Sequence, residues 1–424
     1  MRIPNQTDLS IMNRRDFLEL LALALAPSTP LLAQTTGASS ARPRRLLLKS
    51  GWQTVNIGDI GHTPGMLRLL GEQLPEVEVW LWPNNIGDGA EEMLRRNFPK
   101  VKIVQGQDVK AAFDACDFLL HGSGPSLVAA KSLDQWRTKT GKPYGVLGIT
   151  YGGPSAAKQK PVLDQAKFVF FRDSISLEQA RKDGVQCPIL EFGPDAAFSV
   201  NLRNDAAAVP FLKQHGLEDG KFLCAIPRLR NSPYWLIHQK PMTDLDRRKD
   251  AENQQLKEHD HVMVRDALVA FARTTGMRVL LCPEDKSHMA VGKEMFLDRL
   301  PADVRPQFVW RENYWLTDEA VSVYARALGL LSMDMHSPIM AVANGTPAIV
   351  CRFHQQTSKG QMWRDIGLGP WLFDLDVEQD GTRITEAVLA IARDPAAARA
   401  KVAAAMQCVR QRQKVAVETV RRFV

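Results

Sequence analysis

Asp117-Phe118-Leu119-Leu120-His121-Gly122-Ser123-Gly124-Pro125 is the stretch whose reading decides the fold. Residues 117–120 form a short apolar run without alternation, which suits a strand buried on both faces. The run stops at small residues, where a backbone can turn sharply or meet a ligand closely. Outward in both directions the pattern repeats. Towards the N-terminus, residues 45–49, 77–82 and 101–105 read as strands and 66–73 and 91–98 as helices. Towards the C-terminus, 144–148 and 168–171 read as strands, and 176–183 as a helix stopped by Gly184. Such alternation predicts a parallel sheet with helices on both faces.

The periodicity lapses over residues 199–220, punctuated by Gly216 and Gly220, and a second alternating series follows. Strands are expected at 222–226, 279–281, 308–310, 329–332 and 348–350, and helices at 262–274, 382–393 and 396–422. The fold class is therefore α/β, with two doubly wound Rossmann-like domains and an interdomain cleft at the carboxyl ends of both sheets. The expected bounds are 44–205 for the N-terminal domain and 206–424 for the C-terminal one. Residues 228–261 are polar and without period, and are expected as an inserted loop or lid, with Tyr234 and Trp235 free to stack on a sugar or to plug the loop onto the surface.

The 424 residues are 45% hydrophobic and 24% charged, an ordinary globular composition that excludes collagenous, coiled-coil and mainly disordered chains. No apolar run approaches the roughly 20 residues of a membrane span. A net charge of +7 suits an anionic small substrate or a cell-wall surface, and is too weak to argue for nucleic acid. Arg14-Arg15 precedes a short, weakly apolar segment, then Pro27, Pro30 and Ala33. This resembles a twin-arginine export signal over residues 1–33, with a flexible leader at 34–43 and delivery to the periplasm or envelope. The six cysteines show no metal-ligand spacing and are expected as buried thiols.

The chemistry-bearing residues fall where strands end. Asn56, Gly58 and Asp59 follow the first strand in a glycine-rich turn that could cradle an anion or simply turn the chain. Gly122, Ser123 and Gly124 follow the fourth strand. Arg172 ends another, and its planar fork suits a carboxylate or phosphate. Asp173 and Ser174 suit a helix cap. In the second half, Asp334 and His336 lie between a strand and a helix, where a histidine can act as general acid or base. Lys359 opens a later helix. His259-Asp260-His261 reads as a solvated loop rather than a metal site. No GxSxG, HExxH or P-loop pattern occurs.

The order of these elements resembles the polysaccharide pyruvyl transferase family over roughly residues 45–375. The marks are Asn56-Ile57-Gly58-Asp59, His121–Gly124, the 148–154 turn, Phe171-Arg172-Asp173-Ser174, Pro194-Asp195, Met335-His336, Gly345-Thr346-Pro347, Ser358-Lys359-Gly360 and Ile366-Gly367-Leu368. The resemblance implies a GT-B-like arrangement and transfer of a pyruvate-derived group from phosphoenolpyruvate, or another anionic donor, to a carbohydrate acceptor as a cyclic ketal. It implies His336 as the acid/base group, Arg172, Arg228 and Lys359 as donor-binding cations, and neither metal nor organic cofactor. Members often carry Arg where this chain has Asp334, so that carboxylate needs compensation from Arg228 or Arg352. Two other readings fit the same elements: a glycosyltransferase-like enzyme with another activated donor, and a non-catalytic exported carbohydrate-binding protein.

Overall fold

Two all-parallel sheets carry the molecule, and in each the strand order reverses beside its first strand. The first sheet runs β3-β2-β1-β4-β5-β6-β7, with β1 Arg45–Ser50, β2 Glu78–Pro83, β3 Lys102–Ile103, β4 Phe118–His121, β5 Tyr144–Ile149, β6 Val169–Phe171 and β7 Leu190–Phe192. The second runs β10-β9-β8-β11-β12-β13, with β8 Phe222–Ile226, β9 Arg278–Leu281, β10 Phe308–Trp310, β11 Gly329–Ser332, β12 Ala348–Arg352 and β13 Leu372–Asp374. This is the doubly wound, two-lobed α/β fold that the alternation predicts. Each sheet has its switch point at the first strand, where β1 lies between β2 and β4 and β8 lies between β9 and β11. A crevice opens outside the carboxyl ends of strands at such a point.

The computed structural model describes residues 42–424 apart from Thr357 and Asp380. The export signal read at Arg14-Arg15 and nearly all of the leader lie outside the described residues. Pro43–Val424 form one compact unit. No helix among the described residues is long and apolar enough to cross a membrane. All six cysteines are free thiols, five of them buried.

Three expectations are corrected. Residues 228–261 are not a loop. Four of them form a short helical turn, Tyr234–Ile237, and from Asp244 they are the first half of a 32-residue helix, Asp244–Thr275. A capping box between Thr243 and Asp246 starts it. Its polar residues are spent on tertiary bonds, with Asp260 holding Arg230 and Asn253 holding the backbone of Asn231. Apolar periodicity therefore could not reveal it. His259-Asp260-His261 accordingly sits on a helix with Asp260 and His261 buried, not in a solvated loop. Trp235 is buried as well, while Tyr234 stays exposed.

The polar stretch 199–220 is where the periodicity lapses. It contains the helix Asp205–Gln214, whose cap is Asn204.

Finally, the glycine-rich segment after β1 is not a turn but helix. Asn56 is the N-cap of Ile57–Gln73, accepting from the N–H groups of Gly58 (2.8 Å) and Asp59 (3.2 Å). The glycines serve close packing. A Cβ at Gly58 would overlap the His336 ring, and one at Gly65 would overlap the Ala196 carbonyl.

The last helix, Pro395–Arg421, returns to the first lobe. Arg412 there donates to the Phe192 carbonyl at the end of edge strand β7 and pairs with Glu191 at 2.6 Å. Phe423, just beyond the helix, packs on Phe168.

Candidate active site

The two lobes are joined backbone to backbone at the carboxyl edge of both sheets. Ile57 N–H donates to the Glu284 carbonyl at 2.9 Å, and Lys286 N–H donates to that of Val55 at 3.1 Å. Thr317 Oγ1 donates to the Ile57 carbonyl at 2.7 Å. These bonds bring the first turn of Ile57–Gln73 against the segment after β9 and against the first turn of the helix His336–Ala343, which follows β11.

His336 is the first residue of that helix and is buried. Its Nδ1 lies 3.3 Å from Glu284 Oε1, and Ser337 N–H donates to Glu284 Oε2 at 2.6 Å. With Nδ1–H as donor, the lone pair of Nε2 is left free, and Nε2 has no hydrogen-bond partner. Burial, then the charge of Lys359, then His62 press the His336 pKa well below its usual value, so the ring is neutral at pH 7. Glu284 goes the other way. Burial and the neighbouring Asp334 carboxylate push it well above the usual range, which disfavours its charge.

Arg172, at the end of β6, is fully buried. It donates through Nε to Thr150 and through Nη1 to Asp195, both at 2.8 Å, and its Nη2 is unpartnered. Arg228 pairs with Asp334 and keeps an unpartnered Nε. That pair supplies the compensation Asp334 needs. Burial opposes the Asp334 charge, but Arg228 and then His288 and Lys359 outweigh it and hold the carboxylate ionised. Lys359 lies in the turn Ser358–Gly360 and forms no hydrogen bond or ion pair among the described residues. Burial and then Arg172 lower its pKa. Arg228, Asp334, Met335, Arg352 and Lys359 line a cavity of about 90 Å³, room for roughly three waters at about 30 Å³ each and hence for one phosphate-sized group.

The other residues named from the sequence position this centre. Asn56 caps the helix, Gly58 admits the His336 ring, and Asp59 accepts from Gln53 and faces His62. Ser123 Oγ accepts from Ala196 N–H at 2.8 Å, which fixes the Asp195 turn. Gly122 N–H donates to Lys49 carbonyl at 3.0 Å and Gly124 N–H to Gly148 carbonyl at 3.2 Å, so these glycines support the edge rather than face the cavity. His121 stacks on Trp52 at 4.8 Å; burial takes its pKa down to about 3, leaving a neutral structural ring.

Sequence reasoning did not single out His62, Glu284, Asp285 or His288. His62 is fully buried on the first-lobe helix, with Nδ1 2.9 Å from Asp195 Oδ1 and Nε2 unpartnered. Its ring meets that of His336 edge to face, centroids 4.9 Å apart. The available signal was the Asn56 cap, since a helix starting there brings residue 62 inward less than two turns on. His288 Nε2 reaches Asp285 at 3.3 Å and Asp334 at 3.9 Å.

Two buried groups among the described residues have ligand-type atoms within 4.8 Å of one another: Asp59, His62 and His336, and Glu284, Asp334 and His336. The charge of Glu284 is disfavoured there, and the charges of Lys359 and Arg172 reach His336. The unpartnered N–H donors and the free ammonium favour an anion there over a cation.

Several solved structures share this architecture. A UDP-GlcNAc 2-epimerase from Methanocaldococcus jannaschii superposes with TM-score 0.53 at 13% identity, covering 82% of this chain and 92% of its own. The S. aureus MnaA–UDP complex gives 0.53 at 9% identity, covering 85% and 91%. A UDP-glucosyltransferase from Polygonum tinctorium gives 0.53 at 11% identity, covering 91% and 99%. These likenesses establish the fold alone. No curated protein matches the chain in sequence. The sequence profile of one family runs from the Asn56 cap beyond His336, over residues 56–354, and by that match the chain belongs to the polysaccharide pyruvyl transferase family.

Proposed function

We propose that this protein transfers a pyruvate-derived group from an enol phosphate, phosphoenolpyruvate or a close anionic relative, to two hydroxyls of a cell-envelope carbohydrate. The observation that carries this reading is the set of polar atoms left without partners at the lobe junction: Lys359 Nζ and Arg228 Nε at one small cavity, and Arg172 Nη2 and the lone pair of His336 Nε2 buried within electrostatic reach of Lys359. Cations held in place before the donor arrives are what a phosphate and a carboxylate need, because charge–charge hydrogen bonds strengthen when water is excluded. A neutral His336 is suited to take the proton of an attacking hydroxyl. Family membership supports a transferase of this class.

The test is phosphate release from phosphoenolpyruvate with a hexoside bearing a free diol, with the methyl ketal identified by NMR. Arg172→Ala should weaken donor binding by about 1.5–3 kcal/mol, the cost of a lost hydrogen bond to a charged group, as read by calorimetry. No binding and no phosphate release by the unaltered protein would remove the reading, and retained glycan binding would leave the carbohydrate-binding alternative. Delivery outside the cytoplasmic membrane belongs to the same proposal and rests on Arg14 and Arg15. Replacing both by Lys should hold the protein inside, measured by fractionation; unchanged fractionation would detach the site from the envelope.

A further inference from the structure

We propose that His62 is a second proton-carrying residue of this site, acting from the first lobe opposite His336 on the second, so that one turnover moves two protons through the pair. The inference rests on the transferase reading above and extends it to the proton inventory of the reaction.

The geometry is that of two oriented imidazoles. His62 Nδ1 is fixed by Asp195, which is itself fully buried, bound by Arg172 at 2.8 Å and accepting from Ala197 N–H at 2.9 Å. His336 Nδ1 is fixed by Glu284. In both rings the other nitrogen is buried and unpartnered, and the rings stand 88° to one another. A buried imidazole nitrogen without a partner is costly unless something occupies it. The groups facing His62 are Asp59 from its own helix, Asp195 with Arg172 behind it, His121 from β4, and His336 from the other lobe. His336 is faced by Glu284, Lys359, Arg172 and Asp195. One ring thus leans on Asp195, whose charge the site favours, and the other on Glu284, whose charge burial disfavours, beside cations.

The chemistry offers two such groups a task each. A diol and an enol phosphate give a cyclic ketal and hydrogen phosphate. Of the two hydroxyl protons, one ends on the former methylene carbon and the other on the phosphate. In the first half, neutral His336 takes the first hydroxyl proton as the oxygen bonds to the enol carbon, and protonated His62 gives its proton to the methylene. The product is a phosphorylated ketal, and the rings have exchanged states. In the second half, His62 takes the proton of the second hydroxyl as that oxygen bonds to the same carbon. The carbon–oxygen bond to phosphate breaks, and His336 returns its proton to the departing phosphate. Both rings end as they began. Both Nε2 atoms are closed to solvent while the Asn56–Asp285 bridge holds the lobes together.

The experiment uses the purified full chain, phosphoenolpyruvate and a methyl hexopyranoside with free 4- and 6-hydroxyls. His62→Gln should lower kcat by about 10²–10⁴-fold, the usual worth of general acid–base catalysis. Donor affinity should stay within threefold and the thermal midpoint near that of the unaltered protein. The bell-shaped pH profile of kcat/KM should lose its alkaline limb, since that limb reports the acid. His62→Ala should regain activity when imidazole is added, and this reads the same point should the Gln variant fold poorly. A His62→Gln protein within tenfold of the unaltered rate and with both limbs intact overturns the proposal while the transferase reading stands. Stoichiometric zinc uptake that needs both His62 and His336 also overturns it, because a ligated imidazole carries no proton. An unaltered protein that neither binds the donor nor releases phosphate overturns both readings together.

Discussion

The helices that follow β1 and β11 each open beside the switch point of their sheet, one from the first strand and the other from the strand next to it, and they are built on opposite principles. The first, Ile57–Gln73, opens on Asn56 as a side-chain cap and carries four glycines, two of them pressed into neighbouring groups. The second, His336–Ala343, has no side-chain cap on its own strand-to-helix turn; Glu284, reaching over from the segment after β9, takes its first N–H groups instead. Each presents one histidine to the other. The comparison teaches that one backbone scaffold can hold two like side chains in unlike electrostatic settings, because the partners come from different strands.

The largest effect expected from breaking this arrangement is at His336. His336→Gln should cost about 10²–10⁴-fold in kcat with little change in donor affinity, measured by phosphate release and calorimetry. Next comes the packing that lets the helices touch. Gly58→Ala should destabilise by about 1–3 kcal/mol, the range for overpacking a tight core, and should lower activity with it. Gly71→Ala on the same helix meets open space and should stabilise by about 0.5–1 kcal/mol, because alanine loses less freedom in a helix. Thermal melts of the two variants separate a helix-propensity effect from a wedge between lobes. The smallest effect sharpens the electrostatic half of the comparison. Because Lys359 helps press the His336 pKa below 6.5, the acid limb of kcat/KM should lie below pH 6.5. Lys359→Met removes like charge, so the limb should move up towards 6.5, while donor affinity falls.

The legible part of this fold was its apolar half. Phe118–His121 and Gly329–Ser332 are buried on both faces, so unbroken apolar runs announced strands, and the turns after them announced an edge where ligands meet backbone. The same logic located His336, Arg172 and Asp334 at strand ends. What escaped was whatever the molecule builds from polar or small residues. The first half of Asp244–Thr275 carries its polar groups into contacts with Arg230 and Asn231, which leaves no stripe to count. The start of Ile57–Gln73 was hidden because glycine and proline are poor helix formers, and tertiary contact overrides that preference here. His62 escaped with it. Glu284 gave no sign at all, since its importance comes from a helix beginning 52 residues later in the chain.

The return of Pro395–Arg421 to β7 has a consequence for how the molecule is made. Strand β7 is the edge of the first sheet, and an open edge invites pairing with other chains. Arg412 covers part of that edge across 220 residues of sequence. The contacts between lobes span similar distances, from Ser174 to Asp365 and from Ile57 to Glu284, and contacts of such separation form late. While the chain is being made, β7 is complete long before the helix that covers its edge has been synthesised. The interval between completion of β7 and arrival of the helix Pro395–Arg421 is thus the period of greatest exposure to misassembly.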